Sequence, residues 1–331
     1  MNKKTAQPSG FSSTADINLN QFDQLCRQPT EKNDYPLAQS LINNVLIYEG
    51  DHLRAAVDQG NRAHFQAEMA KALSAGPGVL VIKNAYNDLS VIDRMNAVFD
   101  QLFQQQSNST ASDHFSKAGE NGRIWNAFQK SARQSPGCFV DYYKNPLLQL
   151  VSEAWLGPHY QLTAQVNVVR PGGRAQLPHR DYHLGFQENE EVCRYPLHAQ
   201  IMSQYLTLQG AVAHSDMPQE SGPTLLLPHS HQYSLGYLAW RDPAFKHYFN
   251  EHAVQLPLDK GDALFFSPAL FHAAGNNDTQ DIHRIANLLQ VSSPFGKAME
   301  NVDLYQLIGD IYPALLERAD SSPLSEVELA A

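Results

Sequence analysis

The chain has 331 residues, 43% hydrophobic and 18% charged, enough for one large domain or two small ones around a sizeable core. Its 24 basic and 34 acidic side chains leave a formal charge of −10, which argues against a nucleic-acid partner, since that function needs a basic face. Three cysteines (Cys26, Cys138 and Cys193) with no CxxC point to neither a disulfide framework nor a thiolate zinc site.

No apolar run approaches the ~20 residues that span a bilayer, and no apolar segment follows the two N-terminal lysines, so a cytoplasmic protein without a membrane partner is expected. Residues 1–34 are rich in Ser, Thr, Asn and Gln and read as a flexible or loosely docked arm. From Pro36, Leu37, Leu41, Val45 and Tyr48 fall near one helical face. A second helix follows Gly60, with Phe65, Met69 and Leu73 four apart, until Gly76, Pro77 and Gly78 stop it. Val79–Ile82 predicts a short strand. "DLSVIDRMNAVFDQLFQQ" returns to helix, with Ser90 and Asp93 at capping-box spacing and a stripe of Leu89, Ile92, Met95, Phe99 and Phe103.

The polar stretch 107–135 reads as a long loop or lid, and "GFQENEEVCRYPLH" as a second lid element. "NPLLQLVSEAWLG" is a helix capped by Asn145, with Pro146 in its first turn and Gly157 as its stop. After residue 158, short apolar or alternating runs separated by Pro, Gly, Asp and Asn predict five or more strands of a sandwich or barrel. "ENVDLYQLIGDIYPALLERA" predicts a closing helix. Helices thus gather in the first half and strands in the second, as one domain over 35–318 with its β core at about 158–294 and a tail at 319–331.

The chemistry lies in "LPHRDYHLGF". His179 and Asp181 are two apart, so on a strand or its end both point to the same face and can reach one ion. A histidine and a carboxylate are two of the three ligands of a facial triad, which leaves open positions on iron. The third must come from afar, and "GDALFFSPALFHAAGNN" offers His272 after an apolar strand. Arg284 opens a later strand, where a buried guanidinium needs an anion and its planar fork suits a carboxylate.

These segments, in this order, resemble the phytanoyl-CoA dioxygenase family of Fe(II)/2-oxoglutarate oxygenases. "GVLVIKNAY" is similar to its opening strand, "LPHRDYH" to its HxD segment, "SDMPQESGPTLLLPHSH" to its turn and strand, and "KGDALFFSPALFHAAGNNDTQDIHR" to its distal His and Arg segment. The resemblance runs over about residues 76–294. It implies a double-stranded β-helix (a jelly roll, cupin-like and mainly β) with an N-terminal helical layer. It implies that His179, Asp181 and His272 hold Fe(II), that Arg284 pairs with 2-oxoglutarate, and that Asn167 and Gln165 touch cosubstrate or substrate. O2 would be the other cosubstrate. The implied reaction is hydroxylation of an unactivated C–H bond, with succinate and CO2 as co-products. A small metabolite is the expected substrate, since no Lys/Arg cluster stands out to hold a CoA phosphate; an acyl-CoA ester is the alternative.

Two departures from the family pattern carry expectations. His229 stands where the family's turn has glycine, so positive φ there would have to be borne by a histidine. Arg284 lies one residue further from His272 than is usual, with His283 in the customary place, so a one-residue bulge is expected. Asp181 is present, which argues against halogenation. His183 is expected to line the pocket rather than to ligate. His229 and His231 alternate as in some cupin metal sites but follow Pro228, so a surface or turn role is preferred. "HRD" also opens a kinase catalytic loop, but Phe186 stands where that loop needs Asn. The rival readings are a jelly-roll protein that binds a metal or ligand without turnover, and a zinc-dependent hydrolase or isomerase.

Overall fold

The computed structural model describes residues 10–106, 121–321, 324–326 and 328. In chain order its strands are β1 (Ser40–Ile42), β2 (Val45–Glu49), β3 (Val79–Lys83), β4 (Asn121–Ile124), β5 (Gln161–Val169), β6 (Thr207–Ala213), β7 (Thr224–Leu226), β8 (Val254–Gln255), β9 (Ala263–Phe266), β10 (His272–Ala274) and β11 (Arg284–Ser292). Its helices are α1 (Leu19–Cys26), α2 (Gly50–Asp58), α3 (Arg62–Ser74), α4 (Leu89–Gln106), α5 (Ala127–Gln134), α6 (Pro136–Tyr143), α7 (Pro146–Leu156), α8 (Asn189–Val192), α9 (Leu197–Ser203), α10 (Gly236–Ala239), α11 (Pro243–His252) and α12 (Leu304–Ser321).

The strands divide between two sheets. One has eight strands in the order β1-β2-β3-β9-β6-β11-β5-β4, antiparallel except where β2 meets β3; the other has three, in the order β10-β7-β8. At the centre of the large sheet, β11 pairs with β5 from Arg284↔Val169 to Ser292↔Gln161 and, on its other edge, with β6 from Ala286↔Ala213. Period-two alternation sorts the side chains of β2 and β3. Val45, Ile47, Val79 and Val81 enter the cluster shared with Leu226, Leu264 and Phe266. Leu46, Tyr48, Leu80 and Ile82 face the other way, into the cluster under α3, α4, α6 and α7.

This arrangement corrects several expectations. The segment from Pro36 is not a helix but β1 and β2. Both faces of β2 are buried, so its run of apolar residues shows no polar alternation and can match a helical stripe. Strands β1–β4 join the large sheet from the first half, while α8–α11 interrupt the strands of the second. Helices hold more residues than strands, which makes the chain mixed α/β rather than mainly β. Within the stretch read as a lid, residues 121–134 supply β4 and α5 to the body, and 107–120 lie outside the described residues. The second lid element holds α8 and the start of α9, with Val192 buried. The cap of α4 is Asp88, whose Oδ1 accepts from Ser90 N at 3.0 Å, rather than Ser90. The helix read at 145–157 stands as expected: Asn145 Oδ1 accepts from Leu147 N at 2.9 Å, and Gly157 ends α7 at φ 72°.

The described part of the polar N-terminal segment is docked rather than loose, and one aromatic side chain accounts for it. Phe22 is fully buried, with its ring centroid 4.9–5.4 Å from those of Tyr233, Phe245, Tyr248 and Phe271. Asn18 N donates to Tyr233 Oη at 2.6 Å, and Thr30 Oγ1 lies 3.0 Å from His229 Nε2. Phe22→Ala is expected to lower stability by about 3–5 kcal/mol, read from the denaturant midpoint. A loose arm would leave that midpoint unchanged.

Candidate metal centre

The segment 176–181 runs antiparallel beside β10 and extends the small sheet. Gln176 N donates to Ala274 O at 3.0 Å, and His179 and His272 exchange both backbone hydrogen bonds, at 3.0 and 3.2 Å. That bridge sets the two imidazoles side by side, with ring centroids 4.4 Å apart. Strand alternation then turns Asp181 to the same side. Ligand atoms of His179, Asp181 and His272 all lie within 4.8 Å of one another. Asp181 Oδ1 is 3.5 Å from His179 Nε2, and Oδ2 is 3.4 Å from His272 Nε2.

Both imidazoles are oriented by the same local device. His179 Nδ1 faces Leu177 O at 2.8 Å, and His272 Nδ1 faces Leu270 O at 2.8 Å. A carbonyl only accepts, so each Nδ1 carries a proton and each Nε2 is turned towards the Asp181 carboxylate. Burial lowers the His179 pKa, against the pull of Asp181. Burial alone would raise the Asp181 pKa. The neighbouring His179 and His272, with the amide of Gln209, outweigh it and hold the carboxyl below the usual range. Gln209 on β6 donates from Nε2 to Asp181 Oδ2 at 2.5 Å. Two imidazoles and one carboxylate converging on a point are the donor set of a facial triad, so the residues present fit a divalent iron.

The triad lies on the wall of a cavity of about 160 Å3 between the two sheets. Arg284, at the start of β11, also lines it. Arg284 is buried, donates from Nη1 to Ser221 O at 3.2 Å, and has no carboxylate partner among the described residues. Burial lowers its pKa to about 10, so it stays charged at neutral pH. Asn167 and Gln165, two apart on β5, face the same cavity. Asn167 Oδ1 is buried with no hydrogen-bond partner, and Gln165 Oε1 accepts from Arg123 Nη1 at 3.0 Å.

His183 is not among the cavity's lining residues. Tyr182 and His183 both take positive φ, 65° and 30°, and this turns the chain off the strand line; His183 Nε2 then meets Lys297 O at 3.1 Å. His229 does take positive φ, at 66°, in a turn that is buried rather than exposed. His231 is buried as well, with Nε2 3.0 Å from Ser74 O, so neither approaches the triad. The expected bulge before Arg284 is absent: β11 keeps register from its first residue, and the loop 275–283 takes up the extra length. There Asn277 Nδ2 donates to Val169 O and Ile282 O, at 2.9 and 2.8 Å. Gln209, Arg123 and Trp125 are site residues that sequence reasoning missed. Gln209 sits in an ordinary alternating strand, and the other two belong to a stretch whose polarity read as loop.

Comparison with known proteins places the chain in a family. The family model for phytanoyl-CoA dioxygenase (PhyH) matches residues 75–286, well over half of the chain. The dioxygenase cdmD of Talaromyces verruculosus is 29% identical over 128 residues, covering 39% of this chain and 38% of that protein. The dioxygenase trt7 of Aspergillus terreus is 27% identical over 148 residues, covering 44% of this chain and 46% of that protein. Each match thus spans less than half of the relative's length. Among solved structures, the non-heme alpha-ketoglutarate-dependent carbocyclase SnoK from nogalamycin biosynthesis is 18% identical with a TM-score of 0.49, covering 68% of this chain and 83% of that one.

Gln209 tests whether the triad's surroundings tune it. Gln209→Ala removes the donor to Asp181 and is expected to weaken divalent-metal binding about 10-fold, measured by cobalt(II) titration. Equal affinity in the variant and the unaltered protein would show the hydrogen bond to be incidental.

Proposed function

The chain belongs to the phytanoyl-CoA dioxygenase family, and from that premise we propose that it is an Fe(II)/2-oxoglutarate-dependent oxygenase that hydroxylates an unactivated C–H bond of a small metabolite. One observation carries the reading. A His179–Asp181–His272 donor set and a buried guanidinium with no carboxylate partner among the described residues share the same cavity.

His179 and His272 would hold Fe(II) through Nε2 and Asp181 through one carboxylate oxygen, on one side of the ion, leaving the cavity side open. Arg284 would receive the distal carboxylate of 2-oxoglutarate with its planar fork. Asn167 would donate from Nδ2 to the same cosubstrate, and Gln165 would meet cosubstrate or substrate beside it. When bound, Fe(II) with 2-oxoglutarate and O2 supplies the oxidation of the C–H bond, with succinate and CO2 released. The chain's part is to orient both substrates and to keep water out of the apolar part of the cavity, where Trp125, Met217, Leu258 and Phe266 stand.

The strand order supports reading the two sheets as a double-stranded β-helix. One wall is β5-β11-β6-β9, and the other is the 179 segment followed by β10-β7-β8. We read 35–318 as one catalytic domain around a core at 158–294. Among the described lining residues no Lys/Arg cluster stands ready to hold a CoA phosphate, which supports a small metabolite over an acyl-CoA ester. Arg284 weighs against a protein that binds metal without turnover. Among the described residues no helix is long and apolar enough to cross a membrane.

Anaerobic protein titrated with Fe(II) and 2-oxoglutarate is expected to develop a visible charge-transfer band that Asp181→Ala loses. Arg284→Ala is expected to keep iron binding and to raise the KM for 2-oxoglutarate on the order of 100-fold, the cost of removing one partner of a buried charge pair. A screen of small metabolites should find oxygen-dependent succinate release. No band and no succinate with any of them would end the proposal.

A further inference from the structure

We propose that Arg180, which stands between the ligands His179 and Asp181, is a positioning residue that clamps the two ligand-bearing segments together from the side away from the cavity. The proposal rests on the metal-centre reading given above. With His179 and Asp181 turned inward, alternation sends the Arg180 side chain the other way. It enters the core formed behind the small sheet and is 99% buried.

There it meets groups from two further segments. Nη2 donates to Ser230 O at 2.6 Å and to Tyr233 O at 3.0 Å, in the turn after β7. Cζ lies 5.2 Å from the ring centroid of Phe271 and 5.3 Å from that of Tyr237, within cation–π range of both. Phe271 is the residue before the third ligand, His272. The guanidinium therefore touches the neighbour of one ligand while its own backbone carries the other two. Ser230 closes the triangle, since its Oγ accepts from Phe271 N at 2.8 Å. A side chain at Gly236 would overlap the guanidinium, so the fold reserves this space for it.

A buried arginine that only stabilised the core would be an expensive choice. Nε and Nη1 have no hydrogen-bond partner among the described residues, and no carboxylate pairs with the charge. An apolar side chain of similar length would fill the volume without that cost. What the cation adds is direction. Two carbonyls and two ring faces fix its plane, and through it the spacing of His179 and Asp181 against His272.

The test is cobalt(II) binding to the full-length protein, read by calorimetry and by the visible ligand-field bands, well below the unfolding temperature. Arg180→Met keeps the stem and removes the cation, and is expected to weaken cobalt binding 10- to 100-fold and to change the bands. Arg180→Lys should recover part of the loss. Phe249→Leu, in the same core, should lower the unfolding temperature and leave affinity and bands unchanged. If Arg180→Met does not fold, Phe271→Leu removes the ring face alone and should weaken binding several-fold. Wild-type affinity and bands in Arg180→Met, or in Phe271→Leu where that variant stands in for it, would overturn the clamp and leave the metal centre standing. Equal weakening in Phe249→Leu would reduce the effect to general loosening and overturn the clamp too. Failure of the unaltered protein to bind cobalt would overturn both.

Discussion

The site depends on one backbone pairing, the double hydrogen bond between His179 and His272. It joins segments 93 residues apart in the chain, and every further relation at the metal centre follows from it. The bridge places two imidazoles side by side, the strand period adds Asp181 to them, and the same period sends Arg180 behind. The carbonyls of Leu177 and Leu270, each two residues before its histidine, then settle both tautomers by a purely local contact. The backbone thus decides which side chains converge, and side-chain contacts are left to hold their spacing.

The second constraint is electrostatic. A carboxylate in a small buried cavity is costly, and here two imidazoles and the amide of Gln209 keep it ionised. Arg284 poses the complementary problem, a cation deep in the wall with a backbone carbonyl as its protein partner. For Arg284 no carboxylate among the described residues offsets that cost; an acidic ligand reaching the guanidinium would.

How much of this was legible in the sequence varied with how local the signal was. The HxD spacing and the strand leading to His272 carry their geometry in a few residues, and the triad is where they placed it. Asn145 and Gly157 bound α7 for the same reason. Residues whose roles arise from tertiary pairing were hidden. Val45–Tyr48 is buried on both faces, so its alternation between two cores leaves no polar trace. Arg123 and Trp125 lie in a polar stretch that becomes strand only because β5 offers an edge. Phe22 is a single aromatic in a polar segment, and its anchoring power comes from four rings supplied by distant parts of the chain. His229 shows the reverse case: a local oddity, read correctly as a backbone demand, that the turn does impose.

The lone pairing of β4 has a further meaning. This edge strand is held by four rungs to β5, and it carries Arg123 into the cavity while Trp125 follows immediately after it. The triad belongs to the opposite sheet. Arg123 and Trp125 therefore reach the cavity from the wall that also holds Arg284, so loosening this one seam would reshape that wall while the His179–His272 bridge stays in place.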